Sequence, residues 1–392
     1  MSRLGRCPSC GSSELQVFYE VRGIPTNSCI QLSSASEAKA YPTGDIELAY
    51  CGACEFISNL AFDPGLTEYS GRYEETQSYS PTFSEFHARL ARDLIERYQL
   101  KGKRVIEIGC GKGEFLEMLC ELGNNEGVGF DPGFCPDRVG NGTLSRVTFV
   151  QDFYSEAYAR YQGDFVCCKM TLEHISDTRE FVRVARKSIG DRPATLVFFQ
   201  VPSVERILAE CAFEDIYYEH CSYFSKRSLS GLFERCGFRV LNVRTEYDDQ
   251  YLTIEALPVA GERNAKCETQ SRPQLAHQVR DFADRMAAKR VAWNEQVGRA
   301  LDAGKTVAVW GAGSKAVSFL HTIDRGADIP LVVDINPHRR GHFMAGTAQQ
   351  IVGPEDLQQH KPDLVVVMNR IYRDEIGQQL QRLGLSPELC AL

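Results

Sequence analysis

Lys103-Arg-Val-Ile-Glu-Ile-Gly109-Cys-Gly111-Lys-Gly113-Glu-Phe-Leu-Glu-Met-Leu119 reads as a buried strand, a glycine-rich turn and the start of a helix, the opening unit of a doubly wound α/β sheet. The glycines let the backbone approach a ligand closely. Their spacing is not the dinucleotide fingerprint, so the turn by itself leaves a nicotinamide nucleotide, a nucleoside or tight packing open. Upstream, residues 84–100 place Phe86, Leu90, Leu94, Ile95 and Leu100 near helical spacing, which predicts a helix leading into the strand. Downstream, Val128-Gly-Phe-Asp131-Pro ends a second strand in a carboxylate, the position from which an acid accepts hydrogen bonds from ribose hydroxyls. Val147-Thr-Phe-Val-Gln-Asp152-Phe153 follows, and then Asp164-Phe-Val-Cys-Cys-Lys-Met-Thr-Leu-Glu173-His174, a strand whose end faces the ligand crevice of an open sheet.

In order and spacing these residues resemble the class I S-adenosylmethionine-dependent methyltransferases. The resemblance implies that Glu107, Gly109 and Gly111 cradle the methionine end of the donor and that Asp131 binds its ribose. It also implies that Asp152 bonds the adenine amino group, with Phe153 near the ring. His174 is expected close to the acceptor, or as a cap of the next helix.

Residues 213–225, Phe-Glu-Asp-Ile-Tyr217-Tyr218-Glu219-His220-Cys-Ser-Tyr223-Phe224-Ser225, concentrate a carboxylate, an imidazole and three phenols after the strand Thr195–Pro202. The bland reading is a polar strand edge, with Ser225 capping the helix that begins at Lys226. The pattern also resembles one branch of the family, the zinc-ribbon-containing deoxysugar C-methyltransferases. In that branch the residues matching Tyr217, Glu219 and His220 surround the sugar and the histidine is the proton acceptor. Methylation at carbon needs a carbanion equivalent, hence a base beside a polarised ketone. His220 suits the first task, and Glu219 either orients it or is itself the base. Tyr73 and Tyr79 are both candidates for a tyrosine that covers the site.

Cys7-Pro-Ser-Cys10 and Cys51-Gly-Ala-Cys54 are two C-x-x-C turns that can deliver four thiolates to one tetrahedral metal, so a structural zinc ribbon is expected. With every position filled by protein, such a metal has a folding role. The rival is a redox dithiol, which needs no second pair. The fifteen cysteines are odd in number and scattered through core elements, which argues against a disulfide framework. Cys29 has no partner at ligand spacing.

Arg272–Ala303 predicts a long connecting helix bearing Val279, Phe282, Met286, Val291, Trp293 and Val297. After it, Lys305-Thr-Val-Ala-Val-Trp310-Gly311-Ala-Gly313-Ser repeats the strand, glycine turn and helix, followed by strands ending at Asp334 and Met368. Amides from Gly311 to Ser314 can hold phosphate at a helix N-terminus. The resemblance implies that this half helps to hold a nucleotide-linked sugar. Asn336, His338, Arg339, Arg340, His342, Asn369 and Arg370 offer donors to an anion, or form a solvated surface.

Length, composition and charge set the frame. The 392 residues suffice for two or three hydrophobic cores. With 43% hydrophobic and 24% charged residues the chain has a globular composition, and no apolar run approaches a bilayer span. A net charge of −8 disfavours nucleic acid as the main partner. The start Met1–Cys7 lacks a secretory apolar core, so the cytoplasm is expected.

The expected architecture is α/β throughout. It comprises a zinc-binding ribbon (1–65), a doubly wound S-adenosylmethionine-binding sheet (66–260), a linking helix (261–303) and a second Rossmann-like domain (304–392). The expected function is C-methylation of a nucleotide-linked ketodeoxysugar or related small metabolite, with no nucleic-acid or membrane partner. Open alternatives are an O- or N-methyltransferase on the same scaffold, a nicotinamide oxidoreductase, and a non-enzymatic zinc-containing interaction protein.

Overall fold

The computed structural model describes residues 5–138, 146–259 and 273–392. Three sheets organise them. In the first, β1 (Leu15–Pro25), β2 (Thr43–Cys51) and β3 (Ile57–Asn59) form an antiparallel meander. Its edge is completed by Ser222–Tyr223, the ninth strand of the chain (β9), which pairs with β3. The boundary expected near residue 65 is therefore a boundary of sequence, crossed by a sheet that borrows a strand from far downstream.

The second sheet contains β4 (Arg104–Ile108), β5 (Glu126–Phe130), β6 (Val147–Val150), β7 (Phe165–Lys169) and β8 (Leu196–Pro202), all parallel, with β10 (Phe238–Glu246) and β11 (Tyr251–Pro258) antiparallel at one end. Its order is β10-β11-β8-β7-β4-β5-β6. Val105, Ile106 and Ile108 of β4 are all buried, as expected for a parallel strand covered on both faces. The order reverses between β4 and β7, so the crevice at their carboxyl ends is the natural ligand position.

The third sheet is wholly parallel, in the order β14 (Ile351–Val352), β13 (Leu331–Val333), β12 (Val307–Trp310), β15 (Leu364–Val367) and β16 (Glu388–Ala391). It has its own reversal between β12 and β15. Two crevices of the same kind thus exist in one chain.

Helices fall where the sequence indicates. Helix Pro81–Tyr98 starts with Ser80, whose side chain accepts from the Phe83 amide, and buries Phe86, Leu90, Leu94 and Ile95. Ser225 caps helix Lys226–Arg235 in a reciprocal box with Ser228, which settles its role as a cap. The long helix spans Pro273–Asp302, and residues 261–272 of the expected linker lie outside the described residues. It is more than a solvated connector. Val279, Phe282, Met286, Trp293 and Val297 are buried in one cluster with strands of the first and third sheets, and the Phe282 ring meets Phe18 and Tyr19 edge-on. Val291, also noted in the sequence, is exposed. No helix among the described residues is long and apolar enough to cross a membrane.

Candidate active site

At the carboxyl end of β4 the chain turns through Gly109 and Gly111, both at positive φ. A Cβ at Gly109 would lie 2.0 Å from Thr171 Oγ1; at Gly111 it would meet the end of the flexible Glu75 side chain at 2.5 Å, and there the positive φ is what favours glycine. Asp131, just after β5, accepts from the Gly111 amide at 2.9 Å and the Gly133 amide at 2.7 Å, one to each carboxylate oxygen. Each oxygen keeps a further lone pair for a hydroxyl donor. Glu107 is buried behind the turn, and desolvation raises its carboxyl to about 7. Asp152 and Phe153 stand at the edge, where the Asp152 carboxylate accepts from the Tyr158 hydroxyl and the Phe153 amide and the Phe153 ring is 61% exposed.

The expected acceptor residues converge opposite this turn, though not all on one wall. His220 is almost fully buried, and its Nε2 shares a 2.7 Å hydrogen bond with the Tyr217 hydroxyl, while its Nδ1 has no partner among the described residues. His174 sits in a turn after β7, its ring centroid 4.9 Å from that of His220 and nearly perpendicular to it. Its Nδ1 shares a 3.0 Å hydrogen bond with the Tyr69 hydroxyl. Burial is the leading cause that holds both imidazoles neutral, His174 at about 4 and His220 well below 6.5.

Glu219 is differently placed. It is fully buried, and its carboxylate accepts from the Ser28 hydroxyl at 2.6 Å, from the Ser28 amide and from the Tyr73 hydroxyl. It makes no hydrogen bond to His220 and does not line the cavity described below. Between the two candidate upstream tyrosines the geometry distinguishes plainly. Both line the cavity, but Tyr73 donates to the buried Glu219 carboxylate, whereas Tyr79 is 39% exposed with its ring beside His338.

The third sheet supplies the facing wall. Gly311 also has positive φ, and Asp334 after β13 accepts from the Ala312 amide at 2.7 Å and the Asn336 amide at 2.8 Å. Of the donors noted around it, Asn336, Arg339 and Asn369 line the cavity. Arg340 and Arg370 instead pair with Glu355 and with Asp248 and Glu210. Cys29 also lines the cavity, 3.4 Å from Ser314 Oγ and 3.5 Å from Arg339, remote from the cysteine turns by function and partners.

Both crevices open into one cavity of about 520 Å³. Its lining runs from Gly109, Gly111, Asp131 and Phe153, past His174, Tyr217 and His220, to Gly311, Ser314 and Asp334. Glu74, which sequence reasoning did not single out although it lies between the two candidate covering tyrosines, ties these walls together. The Glu74 carboxylate pairs with Arg138 at 2.6 Å and accepts from Asn336 at 2.9 Å, and its backbone carbonyl accepts from Arg339. Lys112, in the first glycine turn, donates to the Tyr73 carbonyl at 2.8 Å. The only local signal was the density of tyrosine and glutamate in this stretch, because every partner is distant in sequence.

Away from the cavity, the sulfurs of Cys7, Cys10, Cys51 and Cys54 lie within 4.8 Å of one another, with Cys7–Cys54 at 3.7 Å and Cys10–Cys51 at 3.6 Å. Four thiolates at about 2.3 Å from a zinc ion make a tetrahedron with edges of about 3.8 Å, so these residues fit that metal.

Comparison with known proteins bears on the same regions. The methyltransferase-domain family model matches residues 83–243, and the C-methyltransferase C-terminal domain model matches residues 259–385. The C-methyltransferase NovU of Streptomyces niveus is 29% identical over 329 residues, 78% of this chain and 76% of that protein. These matches support a class I S-adenosylmethionine-dependent methyltransferase of the C-methyltransferase type. The methyltransferase is also 34% identical over 106 residues to the ubiquinone biosynthesis O-methyltransferase of Escherichia coli O127:H6, a match covering 26% of this chain and 43% of the relative. Among solved structures, 1,6-didemethyltoxoflavin-N1-methyltransferase of Burkholderia thailandensis aligns with 46% of this chain and 81% of its own, at 15% identity and a TM-score of 0.36.

Proposed function

We propose that this methyltransferase transfers the methyl of S-adenosylmethionine to carbon alpha to the ketone of a nucleotide-linked deoxysugar. The observation that carries the reading is the single cavity whose lining includes the donor turn, His220 and the second glycine turn. In it Glu107, Gly109 and Gly111 hold the methionine end, Asp131 the ribose, and Asp152 and Phe153 the adenine. S-adenosylmethionine supplies an electrophilic methyl on a sulfonium, so this chain must provide orientation, dryness and a base.

His220 is that base. When Nε2–H donates to Tyr217, the unpartnered Nδ1 keeps its lone pair for the substrate proton. His174, held by Tyr69 and neutral, presents its other nitrogen as a donor to the developing enolate oxygen. Glu219 is a poor candidate base, because its oxygens are committed to Ser28 and Tyr73 and it lies behind the cavity wall. It fixes Tyr73 in place. The amides from Gly311 to Ser314, with Asp334, hold the nucleotide of the acceptor. Residues 304–392 are accordingly the acceptor-holding unit, residues 66–260 the donor-holding one and the helix after residue 261 their brace. A zinc ion on Cys7, Cys10, Cys51 and Cys54 stabilises the head and takes no part in the chemistry.

The test is product analysis with candidate ketosugar nucleotides. Mass gain of one methyl, together with loss of a deuterium label from the alpha carbon, supports the reading. Methyl gain on oxygen or nitrogen with the alpha label retained contradicts it.

A further inference from the structure

One acid in this site has no task in the scheme above. Glu173 sits in the middle of the turn after β7, is fully buried, lines the cavity, and has no hydrogen-bond partner among the described residues on either carboxyl oxygen. Its Oε1 lies 3.9 Å from His220 Nε2, and one ligand atom each from Glu173, His174 and His220 fall within 4.8 Å of one another. A buried carboxyl without a partner is costly, and such groups concentrate where chemistry needs them.

We propose that Glu173 is the charge partner of His220, its carboxylate balancing the imidazolium that forms when His220 takes the substrate's alpha proton. The inference rests on the reading of His220 as the base. In the proton transfer the substrate C–H bond breaks and its electron pair enters the ketone as an enolate. An N–H bond forms at Nδ1, and the new positive charge is delocalised over the ring to Nε2, which lies 2.7 Å from the Tyr217 oxygen and 3.9 Å from Glu173 Oε1. The enolate carbon then takes the methyl, and the pair of the broken C–S bond stays on sulfur. As product leaves, the imidazolium releases the Nδ1 proton to solvent through the opened cavity, which restores the starting tautomer. Glu173 is thus a positioning and charge-balancing residue, one contact removed from substrate.

The surroundings of Glu173 bear on when it ionises. Cys168 faces it from β7, Tyr69 from the segment preceding the first helix of the second sheet, Tyr251 from β11, and Tyr217, His220 and Cys221 from the loop ahead of β9, with His174 next in sequence. None of these is a lysine or arginine, and Lys315 acts on His220 instead. Burial therefore raises the Glu173 carboxyl to about 8. At neutral pH the resting pair is a protonated carboxyl beside a neutral imidazole. The competent carboxylate accumulates as pH rises through about 8, and turnover rises with it.

Glu173→Gln keeps size and neutrality, so folding and donor affinity should stay as in the wild type. The expected result is an unchanged KM for acceptor and a kcat lowered about tenfold to a hundredfold at pH 9, the scale of a hydrogen bond to a charged group. The wild-type rise of alpha-deuterium exchange between pH 7 and 9 should flatten. Infrared difference spectra of the resting protein should show a protonated carboxyl band that titrates near pH 8 and is missing in the variant. Wild-type kcat with the pH rise intact in Glu173→Gln would overturn the inference. So would a second bound metal, beyond the four-cysteine site, that the substitution removes, since Glu173 would then be a ligand. If His220→Asn still exchanges the label, the base reading itself fails; if it does not and Glu173→Gln behaves as wild type, only the present inference fails.

Discussion

Two glycine turns in this chain are built alike and, in our account, hold different things. In each, an acid directly after the second strand of its sheet accepts from a loop amide and from the amide two residues ahead of itself, Asp131 from Gly111 and Gly133, Asp334 from Ala312 and Asn336. What differs is the space above the turn. Over the first, Thr171 presses against Gly109 closely enough to exclude a methyl group, and the end of the Glu75 side chain lies over Gly111. Over the second, a Cβ at Gly311 would meet only Met368 at 3.5 Å. The same backbone device therefore makes a tight seat at one end of the cavity and a roomier one at the other, which suits a small invariant donor facing a larger acceptor.

The comparison can be broken experimentally, and the coarsest way is to remove what supports one side. Cys10→Ser should release one zinc equivalent and unfold the head, because structural zinc contributes on the order of 10 kcal/mol in small metal sites. Since the head shares a sheet with Ser222–Tyr223, two residues beyond His220, loss of the metal should also abolish activity. Zinc content by elemental analysis with circular dichroism checks this, and a folded, metal-free variant would remove zinc from the account. Next in size is His220→Asn, expected to lower kcat by about 10² to 10⁴ while calorimetry finds donor affinity unchanged.

The matched pair Asp131→Asn and Asp334→Asn sharpens the contrast itself. Each should weaken one ligand by about tenfold to a hundredfold, the first raising KM for S-adenosylmethionine and the second KM for the acceptor. If both raise the same KM, the division of labour between the turns is wrong.

The smallest effect is on stability. Glu173 has a folded-state value near 8, above its ordinary 4.5, so between these pH values the folded chain holds a proton that the unfolded chain has lost. Its contribution is complete below about 4.5 and falls as pH rises toward 8. Glu173→Gln should remove that slope, leaving the variant more stable than wild type near pH 8, as thermal melts across pH 5 to 8 would show. An identical pH dependence in both would place the Glu173 proton elsewhere.

The legibility of the molecule in its sequence follows the range of the contacts. Glycine spacing, strand-ending acids and paired cysteines are local signals, and they placed both turns, Asp131, Asp334 and the four sulfurs correctly relative to their elements. Tyr217 and His220 are three residues apart and their side chains meet. Glu219 sits beside them in sequence but turns away to Ser28 and Tyr73, because a buried carboxylate goes where its donors are. The Glu74 clamp and the Glu173 approach to His220 join segments brought together only by the fold, and no periodicity announces them. The long helix was legible as a helix. That Phe18 and Tyr19 of β1 receive it was not.

The central claim is that donor and base act on one guest from two sides of one cavity. It is tested most directly by following an alpha-deuterated ketosugar nucleotide in ordinary water with the donor product bound, so that only proton transfer can occur. Wild type should wash out the label, whereas His220→Asn, with donor-product affinity intact, should retain it. Equal loss of label from both proteins, or retention by the wild type alongside methylation at oxygen, would contradict the account.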